Sequence, residues 1–285
     1  MTSIKDQMNA AYGAAQRIIR EEQTSKEKKI IDDLMHDDIV VVRGQYDHVE
    51  QVLDVGNIPY MAVESHALAR INLRADQMLV INCPGKIDKL SIQQVRDFVY
   101  SGGSLFTTDW ALKYVLEPAF SGVVEHNGNS TTDTVIAVRP IISDNPMLDG
   151  IFDENSEPQW WLERSSFPIK ILDTSKVNIL IDSAELGRSW GASPVVINFE
   201  YGHGEVMHMI SHYYLQRTEL RTKRHSKNWA RYAEEKNAPI STVNAPPEYR
   251  TLNVGEVESA YTSAKFMRNS VIRHRKRKTQ RTRNP

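Results

Sequence analysis

The strongest constraint on the fold is a series of short, almost wholly apolar runs separated by helical stretches. Ile39-Val40-Val41-Val42, Tyr60-Met61-Ala62-Val63, residues 77–82 and Ser104-Leu105-Phe106-Thr107-Thr108 read as strands, and 46–55, 91–99 and 110–116 as the helices between and after them. A strand that faces water on one side alternates apolar with polar residues, whereas these runs are apolar at consecutive positions and so are covered on both faces. Strands of this kind alternating with helices predict an α/β class: an open, doubly wound, mostly parallel sheet.

Beyond Gly122 the pattern is more mixed. Strands are expected at 134–138, 177–181, 195–199 and 205–210, the last two joined as a hairpin through Glu200-Tyr201-Gly202-His203-Gly204, where glycine supplies positive φ. Residues 3–35 have apolar positions at helical spacing, with a polar interval at 21–29 that can break the helix. Such a leading helix either packs on its own sheet or pairs with a protein partner or a second copy of the chain. A last helix at about 255–274 carries Val257, Ala260, Tyr261, Ala264, Met267 and Val271 on one face. The chain thus divides into an N-terminal helical extension (1–37), an α/β domain (38–216), a linker with helices (217–264) and a basic tail (265–285).

Charge separates the tail from the rest. From Lys265 onward there are nine Lys or Arg and no Asp or Glu, although the whole chain has a net charge of −1. An acidic body therefore carries a basic end, and Arg273, Arg275, Lys276, Arg277 and Lys278 form a candidate contact for nucleic acid or another anionic surface. No apolar run is long enough to span a bilayer and the first residues have no apolar signal core, so a cytoplasmic protein is expected, not an integral membrane one. The single cysteine, Cys83, excludes an intrachain disulfide framework and a multi-cysteine zinc site.

Three segments carry chemistry. The first is Ala75-Asp76-Gln77-Met78-Leu79-Val80-Ile81-Asn82-Cys83-Pro84-Gly85, a strand ending in a Pro-Gly loop. The second runs from Gly102 to Trp110, a strand entering a turn at Asp109. The third runs from Gly202 to His212, a strand ending in histidine. Together they resemble the class I glutamine amidotransferase-like superfamily over about residues 38–216, in particular its non-glutaminase branches such as ThuA-like proteins and the N-terminal domain of intraflagellar-transport and gliding-associated proteins. The resemblance implies a flavodoxin-like, amidotransferase-like fold, an oxyanion-hole loop near Cys83 and Gly85, a nucleophile turn at Thr108, Asp109 and Trp110, and a catalytic histidine at His212.

Residue by residue, the glutaminase triad fails. The position that holds the nucleophilic cysteine in that superfamily is Asp109 here, and the acid expected two residues after the histidine is Tyr214. Amide transfer by a thiolate is therefore excluded. For Asp109 the sequence leaves three readings: an N-cap bonding the amides of its own helix, a carboxylate nucleophile or metal ligand opposite His212, or a non-catalytic ligand contact. Met207-His208-Met209 places His208 and His212 on one strand face about 13 Å apart, too far to share a metal ion. No metal or cofactor site is expected. The favoured function is a non-catalytic ligand-binding or protein-interaction scaffold; the alternatives are a hydrolase using Asp109 and His212, with amides near Cys83–Lys86, and a nucleic-acid-associated protein acting through the basic tail.

Overall fold

The computed structural model describes residues 4–142, 145–213, 217–238 and 245–283. Its centre is an eight-stranded sheet. In chain order the strands of the molecule are β1 (Ile39–Val42), β2 (Met61–Val63), β3 (Met78–Ile81), β4 (Ser104–Thr108), β5 (Val124–His126), β6 (Thr134–Ala137), β7 (Arg139–Pro140), β8 (Gln159–Leu162), β9 (Ile169–Ile171), β10 (Asn178–Asp182), β11 (Pro194–Tyr201) and β12 (Gly204–Met209). The sheet order is β2-β1-β3-β4-β12-β11-β10-β7. From β2 through β12 every neighbouring pair is parallel, and from β12 to β7 every pair is antiparallel. The expected mostly parallel, doubly wound sheet is present, and the 195–210 region forms the expected hairpin, with Gly202 at φ 58° in its turn.

The helices are α1 (Ile4–Glu22), α2 (Ser25–Asp32), α3 (Val49–Val55), α4 (Lys89–Tyr100), α5 (Glu117–Ala119), α6 (Ala184–Trp190), α7 (Ala230–Glu235) and α8 (Val254–Arg283). The leading helix breaks within the expected interval, where Thr24 and Glu27 close a reciprocal capping box at the start of α2. Residue parity along the strands explains the two layers. Val41, Val80, Phe106 and Met207 face one core with α1, α3 and α8, while Val40, Val42, Leu79, Ile81 and Leu105 face the other with α4 and the π-helical turn Leu112–Leu116. Adjacent Trp160 and Trp161 likewise point to different partners: Trp160 Nε1 donates to Thr262 Oγ1 on α8, and Trp161 Nε1 to Asp133 Oδ1.

Both terminal helices are absorbed by the body. Ala14, Ala15, Ile18 and Ile19 of α1 are fully buried, as are Tyr261, Phe266, Met267 and Val271 of α8, and Phe106 meets Phe266 edge-on. Of the two alternatives for the leading helix, packing on the chain's own sheet is the one present. The last helix is also longer than expected, because the basic cluster lies on carboxylates at the N-terminal edge of the sheet. Arg273 and Arg277 pair with Glu205 at 3.0 and 2.9 Å, Arg275 and Lys278 with Asp38 at 3.0 and 3.4 Å, and Lys278 with Asp76 at 2.8 Å. Burial alone would raise the Glu205 carboxyl, but Arg273 and Arg277 outweigh it and hold the group below the usual carboxylate range.

His274 completes this attachment. Its ring donates through Nε2 to the Asp76 carbonyl at 3.0 Å, so Nδ1 accepts from Ser104 Oγ at 2.9 Å. Burial lowers its pKa to about 4, and burial likewise lowers that of His208 to about 3. Both rings are neutral when folded but take up a proton once unfolded below an ordinary imidazole value, so stability falls as the pH drops from about 6.5 toward 4. His274→Gln is expected to flatten that part of the stability–pH curve, measured by urea unfolding at successive pH values; an unchanged slope would contradict the assignment.

Candidate active site

The parallel pairing of β4 with β12 builds the site. Met209 stands opposite Thr108, so the residues leaving the two strands, Asp109 and His212, emerge side by side at the C-terminal edge. Asp109 continues the ladder by donating its N–H to the Met209 carbonyl at 2.8 Å, then turns at φ 41° before the π-helical turn begins. Aspartate tolerates this left-handed backbone better than most residues, and the geometry is that of a strand-to-helix elbow that displays one side chain. Thr108 Oγ1 accepts the Cys83 N–H at 2.9 Å, which ties the end of β3 to the same turn. Gly85, at φ 68°, packs so closely on Ala111 that a Cβ would lie 2.7 Å from the Ala111 methyl.

Asp109 is not a helix cap. Its Oδ1 accepts the Phe167 N–H at 2.8 Å and its Oδ2 the Ser166 hydroxyl at 2.9 Å, both from the loop that follows β8. His212 Nε2 lies 3.3 Å from Asp109 Oδ2, and His212 Nδ1 lies 3.2 Å from Glu163 Oε2. These are charge contacts, since neither ring nitrogen has a directed hydrogen bond among the described residues. The acid missing from the sequence motif is therefore supplied from elsewhere in the chain, by Glu163; Tyr214, the position where it was expected, lies outside the described residues. Cys83 Sγ stands 3.9 Å from Asp109 Oδ2. Asp109, His212 and Cys83 are 2%, 1% and 1% exposed, while the Glu163 side chain is 32% exposed and forms the rim.

Burial pushes the Asp109 carboxyl above its ordinary value, opposed by His212, Phe167 and Ser166. Burial would lower His212, but Asp109, Cys83 and Glu163 more than reverse it and hold the ring well above an ordinary imidazole. The pair shares one proton, which we place on His212, because two carboxylates flank the ring and Asp109 has two further donors. Burial also raises the Cys83 thiol to about 11.

Of the expected site residues, Cys83, Gly85, Thr108, Asp109, Trp110 and His212 converge. Trp110 seals the flank, with its ring stacked on Phe167 at 5.3 Å and Nε1 donating to the Ser165 carbonyl at 2.7 Å. Arg273, Arg275, Lys276, Arg277 and Lys278 lie at the opposite edge of the sheet, and Lys276 is the one exposed member of that set. Glu163 and Ser166 escaped the sequence reading. Their one signal is a charged residue directly after the buried run Trp160-Trp161-Leu162.

Sheet, elbow and histidine define an amidotransferase-like α/β fold. Neither a protein-family model nor a curated protein matches the sequence. Among solved structures, the chain is similar to a glutamine amidotransferase from Thermotoga maritima (TM-score 0.50, 11% identity, covering 85% of this chain and 99% of that one). It is also similar to a cytoplasmic protein from Salmonella typhimurium (TM-score 0.45, 12% identity, 70% and 97%). A third is the beta-galactosidase from Rahnella sp. R3 (TM-score 0.43, 13% identity, 61% of this chain), of which this chain spans 28%.

Asp109→Asn leaves a buried imidazolium without its buried counter-charge. It is expected to cost about 3–5 kcal/mol of stability, whereas Glu163→Gln at the rim should cost about 1 kcal/mol. Equal and small losses in guanidinium unfolding would remove the ion pair from this account.

Proposed function

We propose that the chain is a non-catalytic, amidotransferase-like module, related in kind to the ThuA-like and gliding-protein branches, in which the former nucleophile turn serves for binding. The observation that carries this reading is the state of the Asp109 carboxylate. Each oxygen takes a hydrogen bond from the chain's own 166–167 segment, and 2% of the residue is exposed, so the carboxylate is held in place and closed off from an incoming carbonyl. Thiol chemistry is equally disfavoured, because burial keeps Cys83 protonated and a thiolate is the nucleophilic form. A cytoplasmic location fits a lone, unpaired cysteine.

The line Asp109–His212–Glu163 favours one competing reading, a hydrolase in which the Asp109 carboxylate adds to an acyl carbonyl and expels the amine or alcohol, and His212 activates the water that cleaves the resulting mixed anhydride. That role needs a neutral ring, and the flanking carboxylates hold His212 protonated. The two readings separate in a turnover assay with glutamine, activated esters and acetylated sugars. Wild-type protein is expected to release product no faster than Asp109→Asn; turnover present in the wild type and lost in Asp109→Asn would overturn the non-catalytic reading.

A further inference from the structure

We propose that Cys83, Asp109 and His212 form a mononuclear site for a late first-row divalent cation such as zinc. The proposal names the ligand class of the binding turn and so rests on reading that turn as a binding site.

The three residues come from the ends of three adjacent parallel strands, β3, β4 and β12, and each presents one donor atom to the same point. All three donor atoms lie within 4.8 Å of one another. Zinc bonds of about 2.0–2.3 Å at tetrahedral angles set donor atoms roughly 3.3–3.6 Å apart. The His212 Nε2 to Asp109 Oδ2 distance of 3.3 Å meets that value, and the Cys83 Sγ to Asp109 Oδ2 distance of 3.9 Å needs only a small closure of the thiol. One thiolate, one imidazole and one carboxylate suit zinc or cobalt far better than magnesium or calcium, which take oxygen donors.

A second observation is independent of the spacing. His212 is 1% exposed, yet both its ring nitrogens lack a hydrogen-bond partner among the described residues. Its nitrogens face only carboxylates, Asp109 Oδ2 at 3.3 Å and Glu163 Oε2 at 3.2 Å, without directed hydrogen bonds, and a cation on Nε2 would replace the contact to Asp109 with a shared ligand. Glu163 Oε2, 3.2 Å from Nδ1, stands where a metal-bound histidine is normally oriented by a carboxylate. Asp109 is oriented in the same way by Phe167 N–H and Ser166 Oγ, which leaves Oδ2 with a second lone pair. Coordination requires a thiolate and a neutral ring, so the thiol and imidazolium protons leave to solvent as the cation enters. Three protein donors leave a fourth position for water or an incoming ligand atom.

The test is a titration of the full-length, chelator-treated protein with Co(II) alone, followed by displacement with Zn(II). One equivalent of Co(II) is expected to bind with a thiolate-to-cobalt charge-transfer band. Cys83→Ser is expected to abolish the band, and Glu163→Gln to keep it while weakening affinity about 10–100-fold. Circular dichroism establishes that each variant is folded; should Cys83→Ser unfold, Glu163→Gln carries the test. No saturable binding, a spectrum without the thiolate band, or an affinity unmoved by the variants that fold would overturn the site. Failure of the titration leaves the non-catalytic reading standing, whereas turnover by cation-free protein would remove that reading and leave the cation site intact.

Discussion

The pairing of β4 with β12 is the contact on which the rest of the molecule depends. It joins the parallel half of the sheet to the antiparallel half, and it brings together residues about 100 positions apart that meet in the site. Met207, Met209 and Phe106 on one face of this pair form the floor on which α8 lies, and Val206 and Leu105 on the other face pack toward α4. A one-residue slip in register would turn these residues to the opposite layer. The same register brings the chain leaving β4 beside the chain leaving β12, so the core pattern and the site geometry are set by one set of backbone hydrogen bonds.

The two ends of that strand pair are treated differently. At the N-terminal edge, acidic residues gather and are neutralised by the basic end of α8, so charges that look detachable in the sequence attach the last helix to the sheet. At the C-terminal edge the charges are fewer, and Asp109 and His212 are both almost wholly buried. Removing Asp109 and His212 from water is costly, and the cost is offset only because the segment after β8 folds over them with an amide, a hydroxyl and a carboxylate. The loop is held in turn by Thr131, whose Oγ1 donates to the Glu163 carbonyl and accepts the Ser166 N–H. A site closed this way resists substrate entry, which is the physical basis for reading it as non-catalytic.

Much of this was legible beforehand. Continuous apolar runs alternating with helical segments read as strands covered on both faces, so the sheet and its two helical layers followed from composition and spacing, as did the hairpin and the break before α2. The positions of Cys83, Thr108, Asp109 and His212 at strand ends were also legible, because the C-terminal edge of a parallel sheet is where such ends collect. The helix-cap reading of Asp109 was wrong because capping is a local preference, and the elbow aims the side chain away from its own helix toward the 163–167 loop.

By itself, then, the sequence determined β1 to β4, β6 and β10 to β12 but not the short strands β5, β7, β8 and β9, and it determined that no thiolate nucleophile occupies the elbow, because these are properties of residue type and short-range period. Only the tertiary structure decided what Asp109 and His212 touch. Glu163, Ser166 and Phe167 reach them across more than 45 residues of chain, through a loop with no periodicity of its own. It also decided that the basic end is a docked helix, since charge composition fixes how many cations there are but only the folded sheet supplies the carboxylates that receive them.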